Sequence, residues 1–310
     1  MKKTIRLFIL ANVGILMSFH AYSCDVCGCG VGNYYFGIMP QYHKNFLGLR
    51  YRYRTFTSHV GESQYSQSLY GNEETFQSTE IWARFYPLPK IQVLAFIPMN
   101  FNKQYENGTG VTHNLQGLGD ASLFVNYNLI NNTSDTNSIV KHNLLSGGGI
   151  KLPTGKYKFD ESDKQNVNNA NFQLGSGSVD FMLNLVYTIR YKKVGLSTDI
   201  TYKINTVNKN NYQFGNRVSG GVNLFFLQKI GEITIMPTAG IFLEKAFYDY
   251  KRNVTVYQTG GTATLGSAGV ETYFKNFAIG FNFQKPISQN LSDGLSIAHD
   301  RATVHVTYLF

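Results

Sequence analysis

Cysteine, proline and charge are all in short supply in this chain. Its 310 residues hold three cysteines and seven prolines, and only 15% are Asp, Glu, Lys or Arg. All three cysteines, Cys24, Cys27 and Cys29, fall near the N-terminus. The rest of the chain therefore cannot be stapled by internal disulfides, which excludes a small disulfide framework. Soluble proteins carry about a quarter charged residues, so 15% is thin cover for a surface that meets only water. Long apolar runs are missing as well. Beyond the first two dozen residues none approaches the roughly 18–20 residues that a spanning helix needs, and the mean hydropathy is slightly negative. A helical membrane protein is excluded. What the chain does have is 21 Tyr, 23 Phe and 30 Gly, a composition suited to strands.

The first residues read as a secretory signal. Lys2, Lys3 and Arg6 form a positive start, residues 7–19 (LFILANVGILMSF) a short apolar stretch, and Ala21-Tyr22-Ser23 a small-x-small cleavage site. The stretch has no polar face, which argues against an amphipathic soluble helix. Cleavage of residues 1–23 removes three positive charges from a formal +9. The mild basic balance that remains is scattered along the chain, so nucleic-acid binding is not expected.

The hydrophobic pattern has a period of two, repeated many times. In residues 46–56, Leu47, Leu49, Tyr51 and Tyr53 share one face and Arg50, Arg52 and Arg54 the other. Similar alternation covers 79–86, 91–101, 120–129, 142–152, 179–191, 194–204, 214–226, 232–244, 277–285 and 301–310. The stretch 262–273 is less regular and suggests a bulge. The total is twelve strands. The connections alternate in length: long at 58–74, 102–116, 153–175, 246–260 and 286–300, intermediate near 206–212, and short at Pro87-Leu88-Pro89, 130–138, Lys192-Lys193, 228–231 and Lys275-Asn276. Bacterial barrels sort short periplasmic turns from long outer loops in this way, and a soluble sandwich has no reason to. The last strand, RATVHVTYLF, ends in Phe310 with Tyr308, Val306 and Val304 behind it on one face. That arrangement looks like the C-terminal signal that barrels present to their insertion machinery.

The expectation is an all-β protein: a transmembrane antiparallel up-and-down β-barrel of about twelve strands, following a cleaved signal peptide. Residues 24–43 are expected as a periplasmic Cys-containing segment and 44–310 as one outer-membrane barrel, since an unpaired edge cannot sit in lipid. An even strand number places both termini in the periplasm.

Five stretches in order resemble one family. They are GLGDASLFVNY (117–127), GGGIKLPTGKY (147–157), LGSGSVDFMLNLVY (174–187), Thr259-Gly260-Gly261 and FQKPISQNLSDGLSIAHDRATVHVTYLF (283–310). Together they are similar to the outer-membrane transporters grouped as the "MetA-pathway of phenol degradation" family. The resemblance spans about two thirds of the chain, and each motif alone is short and Gly-rich. It implies a barrel and a transport role, and does not carry phenol over as the solute. The Cys-rich N-terminus is not part of that pattern.

Two constellations could carry chemistry. Cys24, Cys27 and Cys29 are spaced C-x-x-C-x-C, which suits a soft ion such as Cu(I) but lacks the second pair of a closed zinc site. Lipidation of Cys24, or a disulfide within the cluster, reads the same residues differently. The second constellation is the charge expected to face the lumen: Arg50, Arg52, Arg54, Arg84, Lys151, Arg190, Lys203 and Arg217 against Glu80, Asp120, Asp180, Asp199, Glu232, Glu244 and Glu271. Such charges either set selectivity at a constriction or pair off to fill a narrow barrel. The arginine row on the first strand leans toward anions.

His299-Asp300 lacks a placed nucleophile and reads as loop. GGGIKLPTGK is no phosphate loop, because Lys156 is followed by Tyr157 rather than Ser or Thr. No enzyme is expected. The expected partners are outer-membrane lipid, the insertion machinery and a small solute of unknown identity. The alternative is a non-transport barrel with a structural or surface-interaction role, with the cysteine cluster handling copper.

Overall fold

The computed structural model of the chain describes residues 44–59, 71–135, 137–158 and 170–310. The expected leader, 1–23, and Cys24, Cys27 and Cys29 lie outside them. The described strands are β1 (Phe46–His59), β2 (Gly71–Leu88), β3 (Ile91–Glu106), β4 (Thr112–Leu118), β5 (Ala121–Asn131), β6 (Val140–Leu152), β7 (Asp180–Tyr191), β8 (Val194–Ile204), β9 (Tyr212–Gln213), β10 (Arg217–Phe226), β11 (Gln228–Ile230), β12 (Ile233–Ala246), β13 (Asp249–Lys251), β14 (Val254–Val256), β15 (Gly261–Phe274), β16 (Phe277–Leu291) and β17 (Ser296–Leu309).

They close into a twelve-stave antiparallel barrel, because β4 with β5 and β10 with β11 each form one kinked stave. β1 pairs with β17 from Phe46↔Leu309 to Ser58↔Ser296, and the Phe310 amide donates to the Asn45 carbonyl at 3.0 Å. Closure gives each spanning stave a hydrogen-bonded neighbour on both sides, which lipid requires.

The end that holds Asn45 and Phe310, here the lower end, also holds the short turns. Lys192, Gly231 and Lys275 take positive φ there (51°, 60° and 51°), so the chain reverses within about two residues. At the upper end the expected loops are shorter than the sequence suggests. β3 and β4 extend into 102–116, and most of 286–300 is strand, closed by a single 3-10 turn at Ser292–Gly294. For 286–300 the reason is two bulges. Ile287 is an extra residue opposite Thr264 and Leu265, and His299 and Asp300 together oppose the single residue Thr55. Each flips the in-out pattern and hides a strand that the period-two rule would find. The irregularity expected in 262–273 thus lies in its partner strand. The upper connections also carry a small sheet of β9, β13 and β14.

The outer wall is apolar. Leu49, Ile81, Ile97, Leu183, Ile200, Leu243 and Ile279 are each about half exposed. Together they form a belt far larger than a water-soluble monomer tolerates. Phe85, Tyr127, Tyr191, Phe226, Phe274, Phe277, Tyr308 and Phe310 point outward close to the lower turns, as an interfacial aromatic girdle does. Val304, Val306, Tyr308 and Phe310 of the terminal motif belong to this outer face.

Inside, four direct cross-strand pairs set an aromatic ring against an inward glycine: Gly48↔Trp82, Phe124↔Gly149, Gly195↔Phe225 and Gly280↔His305. A β-carbon on Gly195 would lie 2.2 Å from the Phe225 ring, and one on Gly280 2.1 Å from the His305 ring. The missing side chain lets each ring lie flat on the neighbouring strand.

Candidate functional site: the barrel lumen

The lumen is built in three layers. The lowest is apolar. Phe46, Trp82, Leu94, Phe96, Phe124, Met182, Phe225, Leu227, Met236, Tyr273, Ala278 and Leu309 form one buried cluster. Every one of them points inward, from staves all around the ring, and alternation in the sequence marks only that they oppose the lipid face.

The middle layer holds the charges. Arg50 binds Glu80 through two of its nitrogens, with Nε 2.8 Å from Oε2, and Arg52 reaches the other oxygen at 3.2 Å. The Arg50 guanidinium also lies 4.8 Å from the Trp82 ring centroid and 5.3 Å from that of Phe96, so its desolvated charge meets a carboxylate and two ring faces. Glu244 sits 3.5 Å from Arg217 and 3.4 Å from Arg301, and Arg54 lies within electrostatic reach of Arg52, Arg217, Arg301 and Glu244. Lower down, the Arg84 guanidinium packs 4.8 Å from the Phe46 ring, and His305 stands 3.9 Å from Glu271, which accepts from the Tyr273 hydroxyl.

The upper layer is a segment of the β6–β7 connection that folds inward. Ala170, Asn171, Phe172, Gln173 and Leu174 are all buried. Phe172 joins Phe56, Phe76, Phe242 and Leu265 in an aromatic-aliphatic cluster, with its ring 5.8 Å from that of Phe76. The segment is latched to the wall by ions. Lys151 Nζ lies 2.6 Å from Asp120 and 2.9 Å from Asp180, and Lys203 lies 3.2 Å from Asp180. Lys151 also donates to the Ser178 carbonyl at 3.2 Å and to the Ser176 hydroxyl. Asp120 accepts from the Ser176 amide at 2.8 Å and the Gly155 amide at 3.0 Å. A second carboxylate, Asp249, anchors the small upper sheet by accepting from the Tyr212 hydroxyl and the Gly215 amide, each at 2.6 Å. Burial pushes its carboxyl up to about 6.

Water reaches part of this interior. Gly147, Asp199, Asn223, Gly240, Ser267 and Gly269 face inward from β6, β8, β10, β12 and β15 and are partly exposed. These small, partly exposed residues lie on the wall opposite the arginines of β1. Asp199 has no ion-pair partner among the described residues.

The structure brings Arg50, Arg52 and Glu80 together, and Asp120, Lys151, Asp180 and Lys203. It gathers Arg54, Arg217 and Glu244, and leaves Asp199 apart. Arg84 and Glu271 sit among the lower aromatics. Arg190 is at the lower rim, where it donates to the Lys192 carbonyl at 3.4 Å. Glu232 is the correction: it lies exposed in the lower turn after β11, not in the lumen. Its place one residue before β12 continues the alternation in sequence, but the wall has ended there. His299 and Asp300 are exposed at the β17 bulge. Sequence reading missed the inward segment around Phe172, the role of Arg301 and the lower apolar layer. The clustering of small polar residues in LGSGS (174–178) was the available signal for the first.

Comparison with solved structures settles the architecture. The COG4313 outer membrane channel from Pseudomonas putida F1 is 11% identical, with 86% of this chain and 96% of that chain covered and a TM-score of 0.60. The fold is that of an outer-membrane β-barrel. The beta domain of the Bordetella autotransporter BrkA matches with 9% identity, coverage of 86% and 99%, and a TM-score of 0.48. The translocator domain of the autotransporter NalP from Neisseria meningitidis matches with 13% identity, coverage of 89% and 92%, and a TM-score of 0.44. No family model and no curated protein matches the chain.

Proposed function

We propose that this barrel is a narrow channel for small solutes in the bacterial outer membrane, with its short turns and both termini on the periplasmic side. The observation that carries the reading is the partial exposure of the small inward-facing residues Gly147, Asp199, Asn223 and Gly240. A barrel serving only as a scaffold gains nothing from setting small residues at these inward positions when large side chains could fill them. Inward segments and opposed charges are the means by which pores restrict what passes. The order of the motifs that resemble the MetA-pathway family agrees with a transport role and leaves the solute open.

The test is conductance. Purified protein inserted into a planar bilayer should give small, discrete current steps in 1 M KCl, well below those of a wide porin. A folded, inserted barrel that stays electrically silent, and that admits no small sugar in liposome swelling, would overturn the reading.

A further inference from the structure

We propose that Arg52, Arg54 and Ser78 form an oxyanion-binding subsite at the constriction, built for a carboxylate or phosphate group on the passing solute. The inference rests on the channel reading and names its substrate class. Arg52, Arg54 and Ser78 share a cavity of about 40 Å3 whose far side is the inward segment at Gln173, Leu174 and Gly175. That volume exceeds what one water needs.

The donors there are poised for a guest. Ser78 is buried, with 6% exposure, and among the described residues its Oγ has no hydrogen-bond partner. Arg52 Nε is equally enclosed and equally unmet, although the same guanidinium uses Nη2 on Glu80. A buried donor without a partner costs about 1–3 kcal/mol, so two at one cavity point to an acceptor that fills it. The neighbouring amides are already committed to the segment. Asn100 donates to the Leu174 carbonyl at 3.0 Å and Asn102 to the Phe172 carbonyl at 3.4 Å. They hold the cavity open rather than fill it. Asp120, the one carboxylate on the lining, is turned to Lys151 and to backbone amides. The surrounding charge has the right sign: Arg54, Arg217 and Arg301 stand near Glu244, and Arg50 and Arg52 share Glu80. A planar guanidinium with a free edge is the usual partner of carboxylate and phosphate.

Two measurements test the subsite. In a bilayer with a KCl gradient, the wild type should pass chloride over potassium, and inorganic phosphate should reduce the chloride current. In parallel, phosphate is titrated calorimetrically into the detergent-solubilised protein, which needs no conduction. S78A should weaken phosphate binding by about 2–12-fold, the loss of one hydrogen bond. R52Q/R54Q should weaken it more than tenfold and shift selectivity toward potassium. Folding of each variant is checked by its heat-modifiable gel mobility, and S78A alone decides the matter if R52Q/R54Q does not fold. Acetate run beside phosphate tells a carboxylate site from a phosphate site. Equal phosphate binding by wild type and S78A, or no binding of either anion by wild type, overturns the subsite. A silent wild type that still binds phosphate in a Ser78-dependent way overturns the channel and leaves the subsite standing.

Discussion

Replacing Lys151 by Met should loosen the inward segment while leaving the barrel closed. Lys151 is 1% exposed and lies between two carboxylates, Asp120 and Asp180, which are themselves almost fully enclosed. Removing one partner of a buried ion pair costs about 3–5 kcal/mol, because the abandoned charge stays buried. The lower figure applies here. Asp120 keeps the Ser176 and Gly155 amides, and Asp180 keeps Lys203, the Ser178 hydroxyl and the Thr206 amide. Half of the partners of Lys151, the Ser176 hydroxyl and the Ser178 carbonyl, belong to the segment, so the loss falls on its docking. About 3 kcal/mol is a factor of about 150 in the docked-to-undocked ratio. The expected result is a larger and noisier single-channel current, with the unfolding midpoint of the barrel lowered only slightly. D120N/K151M removes the stranded charge along with its partner, so it should be less damaged than K151M alone. Wild-type conductance and stability in K151M, or simple additivity in the double variant, would refute the latch.

Four further outcomes follow from the same structure. Gly149→Leu puts its β-carbon 2.7 Å from the Phe124 ring and should cost about 1–3 kcal/mol of overpacking, read as a lower urea midpoint. Gly221→Ala, with 3.3 Å to its nearest neighbour, should change that midpoint little. Leu185→Arg, outward at the middle of β7, should cost about 2–4 kcal/mol in lipid vesicles, and no change would place the membrane elsewhere. The carboxyl of Asp249 titrates near 6 when folded, above the ordinary 3.8. Its contribution is therefore fullest below pH 4 and falls as pH rises through 6, by about 3 kcal/mol in all. Hydrogen-exchange protection of Tyr212 and Tyr250 should fall over that range, and Asp249→Asn should flatten the dependence.

The staves were legible because lipid on one face and side chains on the other force a strict two-residue period, and Leu47 to Arg54 shows it plainly. The upper ends of β16 and β17 were not, because Ile287 and His299-Asp300 break that period by one residue. Arg50, Arg52 and Arg54 could be assigned to the interior from alternation alone. Their partners could not, since pairing Arg50 with Glu80 needs the register of two strands whose connection, 58–74, has no fixed length in the sequence. Lys151 and Asp120 show the same limit on adjacent staves. The segment around Phe172 is harder still. It is short, irregular and held by contacts from distant staves, and nothing local in it states that it turns inward.

The seam between β1 and β17 joins the two ends of the described wall, with Asn45 beside Phe310. No cylinder can therefore exist until β17 has been synthesised. Every contact that completes the circumference spans nearly the whole chain, the costliest kind of closure in loop entropy and the slowest to form. A polypeptide built this way keeps strand edges unpaired, and therefore aggregation-prone, until the seam is made. The same adjacency means that the two ends could be spliced and a new break opened in an upper loop without moving a single stave.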